Sequence, residues 1–316
     1  MGYDTIKLEK DMYKSGNLSD VLERLDPSVA YQGTMLQDLD AFSRQLKRYD
    51  IKVNGSNGDT VEKFFANSNT VVLFPEYVRR CVQMGIDEND KVQDIISNII
   101  ETDGMDYRSV YAKPKNKTCN SVVVDEVYSA LGISTHDTLV NVHNHGKLLH
   151  TSYESLRFQR ISTLTTLLKQ IGCHIARCQY HDAVEALSDK YFVVHKKVKN
   201  IIDDLALWLD DTDGYKLTAV LCSSSGFDIL RKLLNDLIVF REDNYYCGET
   251  KIITSPAEPS NKIIGIDARY ALEMIKCDSI KLDYRKLIDK QFESVEICSC
   301  AGFSVVCPDA IKSLDC

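Results

Sequence analysis

Residues 152–190 constrain this chain more than any other stretch. They contain no proline and a single glycine, Gly172. Leu164, Leu168, Ile171, Ile175 and Cys178 recur at spacings of three and four, which puts them on one stripe of a helix. Thr151 with Glu154 fits a capping box at the start, and Tyr191, Phe192, Val193 and Val194 signal a strand after the end. An unbroken helix here would run about 55 Å at 1.5 Å per residue. Gly172 is its weak point, because glycine costs about 1 kcal/mol relative to alanine inside a helix. It marks a kink, a close contact with a neighbour, or nothing. The apolar positions follow one broad face and sustain no heptad, so the stretch reads as a spine against which sheets pack.

The rest of the chain bounds what such a spine can serve. Its 316 residues suggest two domains, or one with extensions, and 44% apolar content can bury a substantial core. A net charge of -8 argues against a dedicated sequence-specific DNA binder, though not against a container with nucleic acid inside. No N-terminal stretch resembles a signal peptide and no apolar run reaches membrane-spanning length, so the expected setting is soluble and intracellular. The eleven cysteines are odd in number, scattered and without a CxxC pair, which argues against a zinc ribbon. They are expected to act mostly as small buried residues.

Residues 1–66 read as an extended arm with short helices over 19–25 and 34–49, the first stopped by Pro27, and a loop over 53–59. The arm's apolar content is thin, so it should lie against its own body or a neighbour. A helix is expected to begin at Pro75, with Glu76 in its first turn, Arg79 and Arg80 toward its end, and Gly85 as its stop. Val92 to Ile100 fits helix or strand. A strand then enters a basic loop with Lys113, Lys115 and Lys117, and residues 139–145 alternate as a second strand broken at Gly146. Two strands around so long an excursion describe a projecting hairpin. Beyond the spine the pattern is α/β. Strands are expected over 191–194, 218–222, 251–253 and 263–267, and helices over 203–210 (bearing Trp208), 226–237 and 268–275. A long strand should end near Ile297. A turn at Gly302, a short strand over 303–307 and a last helical turn from Pro308 complete the chain.

Candidate chemistry is sparse. His143 and His145 would share a strand face, as zinc ligands can, but no carboxylate or cysteine stands at ligand spacing, so they read as exposed loop histidines. Cys222 to Gly226 lies between a strand and a helix, where phosphate loops occur. It lacks their glycine and lysine pattern and reads as a helix cap. Cys173 and His174 are adjacent on a helix, about 100° apart, which is the wrong geometry for a dyad. No catalytic, cofactor-binding or metal residue is assigned.

The order of parts, together with four strings, carries a resemblance. LFPEYVRRCVQMGI at 73–86, TSYESLRFQRISTLTTLLKQIGCHIARCQYHDAVEAL at 151–187, IIGIDARYALEM at 263–274 and RKLIDKQFESVEICSCAGFSVVCPDAIKSL at 285–314 resemble segments of the major capsid proteins of tailed bacteriophages. Those proteins have the α+β Hong Kong 97-like fold. The resemblance implies an N-terminal arm (1–66), a peripheral domain (67–97, the spine at 151–191 and a long strand at 283–302), a projecting E-loop (98–150) and an axial domain (192–282, with 303–316 returning to it). It implies inter-subunit contacts at Phe74, Arg79, Arg80, Lys113, Lys115 and Lys117, and a spine core of Leu164, Leu168, Ile171 and Ile175. Members that crosslink subunits use a loop lysine and a partner asparagine. Residues 283–302 hold no asparagine, so no crosslink is expected.

The expected function is therefore that of a shell-forming major capsid protein without enzymatic activity or cofactor. Its partners would be copies of itself, in pentamers and hexamers, a separate scaffold or none, a portal and decoration proteins. It would enclose double-stranded DNA without reading its sequence, touch no membrane, and reside in the virion capsid after assembly in bacterial cytoplasm. Alternatives are an encapsulin-type compartment and, in a different class, a cytosolic α/β enzyme. The arm reading further implies that deleting residues 1–50 leaves a folded subunit that assembles poorly.

Overall fold

A computed structural model gives the fold. It describes residues 18–315 apart from 54, 56, 57, 103, 105, 115–130, 137, 138, 189–193, 198–214, 235, 236, 257–261 and 288–291. The expected helix bearing Trp208, and the lysines at 115 and 117, lie outside the described residues. Counting described residues only, the chain forms two compact units. The first draws on Met1–Glu88, Gly146–Ile175 and Ile280–Cys298, and the second on Asn89–His145, Ala176–Ser279 and Ser299–Cys316.

The first unit is mainly helical. It holds α1 (Leu18–Leu25), α2 (Ala41–Arg48), α3 (Glu62–Phe65), α4 (Ser68–Asp87), α5 (Tyr153–Phe158) and the start of α6 (Ile161–Leu187). Helix α2 is shorter than the expected 34–49, because the Asp40 side chain caps it by accepting from Ser43 N at 3.1 Å. Helix α4 begins two turns before Pro75. Asn67 N donates to Thr70 Oγ1 at 3.1 Å there, and the proline sits inside the helix. Arg79 and Arg80 are accordingly mid-helix, and Gly85 is not a stop. The spine is also not one helix. Gln159 is extended, with ψ 143, and Thr60 forms an antiparallel bridge with Arg160. Val61 N donates to Gln159 O at 2.9 Å and Ile161 N to Asp59 O at 3.0 Å. These bonds interrupt the helix at residues 159 and 160, so α6 spans 27 residues and about 40 Å. Gly172 makes a close contact with α4 and no kink is needed: a Cβ there would lie 2.1 Å from Val82 O.

Strands make up most of the rest of the chain. Strands β1 (Ile96–Thr102), β4 (Val142–Ser152), β11 (Leu272–Leu287) and β12 (Phe292–Val305) form a four-stranded sheet in the order β1-β11-β12-β4. Strands β2 (Val110–Pro114) and β3 (Leu131–Thr135) pair only with each other among the described residues. A seven-stranded mixed sheet runs β5-β13-β10-β6-β9-β8-β7. Its members are β5 (Val194–Lys197), β6 (Ala219–Cys222), β7 (Ile238–Arg241), β8 (Asn244–Cys247), β9 (Thr250–Thr254), β10 (Lys262–Ile266) and β13 (Ile311–Asp315).

Strand β6 shows why the middle of this sheet is apolar. All four of its residues are buried. Ala219 and Leu221 face a cluster with Tyr180, Ala183, Val184 and Leu187 of α6. Val220 and Cys222 face the other side, with Leu230 of α7 (Ser224–Leu233). Side chains alternate with period two, so a sheet covered on both faces needs apolar residues at every position. Helix α7 starts two residues before the expected 226 and ends at Leu233, and the expected cap is present, with Ser223 Oγ accepting from Gly226 N at 3.2 Å.

Three expectations along the strands fail for one reason each. Residues 268–271 form a turn and 272–275 enter β11 instead of a helix, because pairing with β1 in parallel register (Ile99 with Met274, Ile100 with Ile275) outweighs local propensity. Gly146 does not break β4, and Gly302 is not a turn but lies within β12. At both, a Cβ would strike a neighbouring strand: Ile297 O at 2.1 Å from Gly146, and Asn141 O at 2.9 Å from Gly302. The partner of β2 is β3, with Ala112 opposite Ile133, instead of the strand at 139–145.

Candidate assembly surfaces

Three of the expected contact residues are engaged within the subunit. Phe74 is buried at 4% exposure, with its ring 5.5 Å from Phe64 and 5.1 Å from Phe65. About two turns into α4, its ring points into the core of the subunit. Arg79 donates to Glu76 through Nε at 3.0 Å and Nη2 at 2.7 Å. Arg80 donates to the same carboxylate at 3.0 Å, pairs with Asp40, and lies 4.4 Å over the Phe42 ring. Two guanidinium groups and two carboxylates thus neutralise one another. Burial pushes the Glu76 carboxyl upward, but hydrogen bonds from Arg79, Ser19 and Arg80 outweigh it and hold it below the usual range. Of the spine core, Leu164, Leu168 and Ile175 are buried and Ile171 is half-buried.

Lys113 lies on β2, whose hairpin is tied at its base. Val140 N donates to Tyr107 O at 2.8 Å and His136 N to Ser109 O at 3.0 Å. The β2–β3 pair exposes Ile133 (70%) and Val110. A two-stranded ribbon is marginal alone in water, so an apolar surface laid over it would stabilise it.

A second surface was not anticipated from sequence. Strands β7 and β8 form a hairpin whose two-residue turn, Glu242 and Asp243, has positive φ at both positions (48 and 60). Leu237 (59%), Val239 and Phe240 (58%) are exposed along or beside β7, which pairs only with β8 among the described residues. An apolar edge strand left in water invites pairing with another chain. The β-branched and aromatic residues in IVF and NYY were a usable signal, but Glu-Asp is a weaker turn marker than Asn-Gly.

The histidines need a correction. His143 and His145 are on β4, not in a loop, and Asp182 of α6 stands beside both. Among the described residues, no helix is long and apolar enough to cross a membrane. A cavity of about 630 Å³ in the first unit is lined by Phe42, Leu46, Ile51, Tyr77 and Met84. Its Arg80 is already held by Glu76 and Asp40, so the lining does not converge polar groups as an active site does.

No family model matches the sequence. No curated protein matches it either. Solved structures do. The subunit of a virus-like particle from Pyrococcus furiosus superposes with a TM-score of 0.57 at 12% identity, over 76% of this chain and 98% of that one. The capsid subunit of an empty GTA particle gives 0.53 at 12% identity, over 72% and 89%. That of a native GTA particle gives 0.53 at 11% identity, over 71% and 89%. The chain has the Hong Kong 97-like capsid fold.

Proposed function

We propose that this chain is the major capsid protein of a tailed bacteriophage, which assembles into an icosahedral head shell enclosing double-stranded DNA. The observation that carries the reading is coverage: the likeness takes in 98% of the virus-like-particle subunit, a whole shell subunit and not a shared fragment. The exposed apolar rows on β2–β3 and β7 supply surface for neighbouring copies. In this reading 1–66 is the arm, 98–150 the E-loop, with Lys113, Lys115 and Lys117 meeting acidic surface on an adjacent subunit. Residues 67–97, 151–191 and 283–302 form the peripheral domain, and 192–282 with 303–316 the axial domain. A portal, a scaffold and decoration proteins would be partners, and the virion capsid its location. The subunit acts by geometry, through repeated contacts, and not by catalysis.

Electron microscopy of the purified chain, with sedimentation, tests this. Closed shells or rings of five or six are expected, with the chain alone or after supplying the protein encoded beside it as scaffold. Monomers under both conditions overturn the reading. A protein-loaded compartment of the encapsulin type also fits a likeness to a virus-like particle. Shells that purify from the native source with protein and without DNA decide for it.

The β7 surface gives a sharper test. Leu237→Asp should change unfolding free energy by no more than about 0.5 kcal/mol, as exposed substitutions do. It should nevertheless shift sedimentation from assemblies to free subunits. Assembly equal to the parent chain would remove β7 from the contact.

A further inference from the structure

We propose that His143, His145 and Asp182 form a binding site for one borderline divalent transition-metal ion of the zinc class. Residues two apart on a strand share a face, so β4 presents both imidazoles together. Helix α6 supplies the carboxylate. His143 Nδ1 lies 2.8 Å and His145 Nε2 2.7 Å from the same oxygen, Asp182 Oδ2. A carboxylate only accepts, so each facing nitrogen carries a proton in this arrangement. Metal binding moves each proton to the ring's other nitrogen and leaves two neutral imidazoles and one anion aimed at one point. Zinc bonds of about 2.0–2.1 Å, set tetrahedrally, separate ligand atoms by roughly 3.3 Å, so each imidazole nitrogen need draw back from the carboxylate oxygen by only about half an ångström.

Two features raise this above a chance His–Asp contact. A second group, His181, Asp182 and Glu185, meets at the same carboxylate, with its ligand atoms also within 4.8 Å of one another. His181 and Glu185 are four apart on α6 and so lie on one face. Asp182 is thus shared by two donor groups. Asp182 is 14% and His145 18% exposed, while His143 is 52% exposed, which shields the anion yet leaves an entry path. Nitrogen donors with one or two carboxylates suit zinc, cobalt or nickel over magnesium or calcium. A bound ion would fasten β4 to α6. The inference does not depend on whether the chain forms a shell.

The test is titration of the full chain, stripped with a chelator, with cobalt(II) and then zinc(II). It would be followed by visible absorption and by equilibrium dialysis. One cobalt per chain with a tetrahedral spectrum, displaced by zinc and not by excess magnesium, is expected. Asp182→Asn and His145→Gln should weaken binding by about 100-fold or more, the upper end of what even an outer partner contributes. His143→Gln, at the most exposed ligand, guards against a misfolded variant, and circular dichroism checks each fold. No binding by the parent chain overturns the proposal. So does unchanged binding by folded variants, which would assign the ion to the cysteines.

Discussion

Gly172→Val is expected to abolish the folded subunit, and Gly172→Ala to destabilise it by about 2–3 kcal/mol, at the upper end of overpacking costs. Helix propensity alone points the other way, because alanine in place of a helical glycine gains about 1 kcal/mol. The decision rests on what surrounds the site. A Cβ on Gly172 would lie 2.1 Å from Val82 O and 2.9 Å from Gly85 C, and a Cβ on Gly85 would lie 2.2 Å from Lys169 O. The two glycines face each other where α4 and α6 cross, so backbone meets backbone and no side chain can rotate away. The helices would have to separate, and their contact would suffer with them. That contact includes the Tyr77 hydroxyl with Thr165 Oγ1 at 2.5 Å and the ion pair of Lys169 with Glu88. Denaturant midpoints measure the effect. Gly58→Ala is the control, since its Cβ would meet nothing nearer than 3.4 Å. A Gly172→Ala chain as stable as the parent would refute the crossing.

The same glycine shows where sequence reading succeeds and where it stops. Gly172 was legible as a kink, a close contact or nothing, and the sequence alone could not choose, because the approaching segment, α4, lies far from it in the chain. Gly85, Gly146 and Gly302 were read as punctuation, yet each sits inside an element at a close approach. Local signals did well where they act alone: β6, β9, β10 and the Ser223 cap follow from short patterns. They failed where a distant segment decides. Thr60 breaks the spine at Arg160, β1 turns residues 272–275 into strand, and Asp182 completes a cluster begun at His143. Of the assembly surfaces, the basic loop was visible as composition. The β7 edge was not, because its turn residues are atypical. Phe74, Arg79 and Arg80 were placed through resemblance, which carries an element's position better than the direction of its side chains.

Arg44→Ala should destabilise the subunit by about 3 kcal/mol, the scale for breaking a buried ion pair by removing one partner. Arg44 is 1% exposed. Its Nε donates to Asp26 Oδ2 at 3.1 Å and its Nη1 to Ser28 Oγ at 3.1 Å, and it lies 4.3 Å over the Tyr31 ring. Further donors reach the carbonyls of Leu39 and Asp26. Arg44→Lys should recover little, because a point charge cannot satisfy these directions together. The effect should depend on pH with a definite sign. Burial pushes the Asp26 carboxyl upward, but the hydrogen bonds from Tyr31 and Arg44, with the nearby charge of Arg48, outweigh it and hold the carboxyl below its usual range. A depressed native value stabilises above the unfolded value of about 3.9 and stops doing so as pH falls through the native one. Parent and variant should thus differ most near neutrality and converge in acid. A difference independent of pH would show that the loss is packing and not charge. The outcome also bears on the arm. Leu18, Leu22, Phe42 and Leu46 are buried, and Arg80 of α4 stacks on Phe42. Residues 18–50 are therefore part of the first unit's core, and deleting 1–50 should cost folding before it costs assembly, contrary to the expectation from sequence.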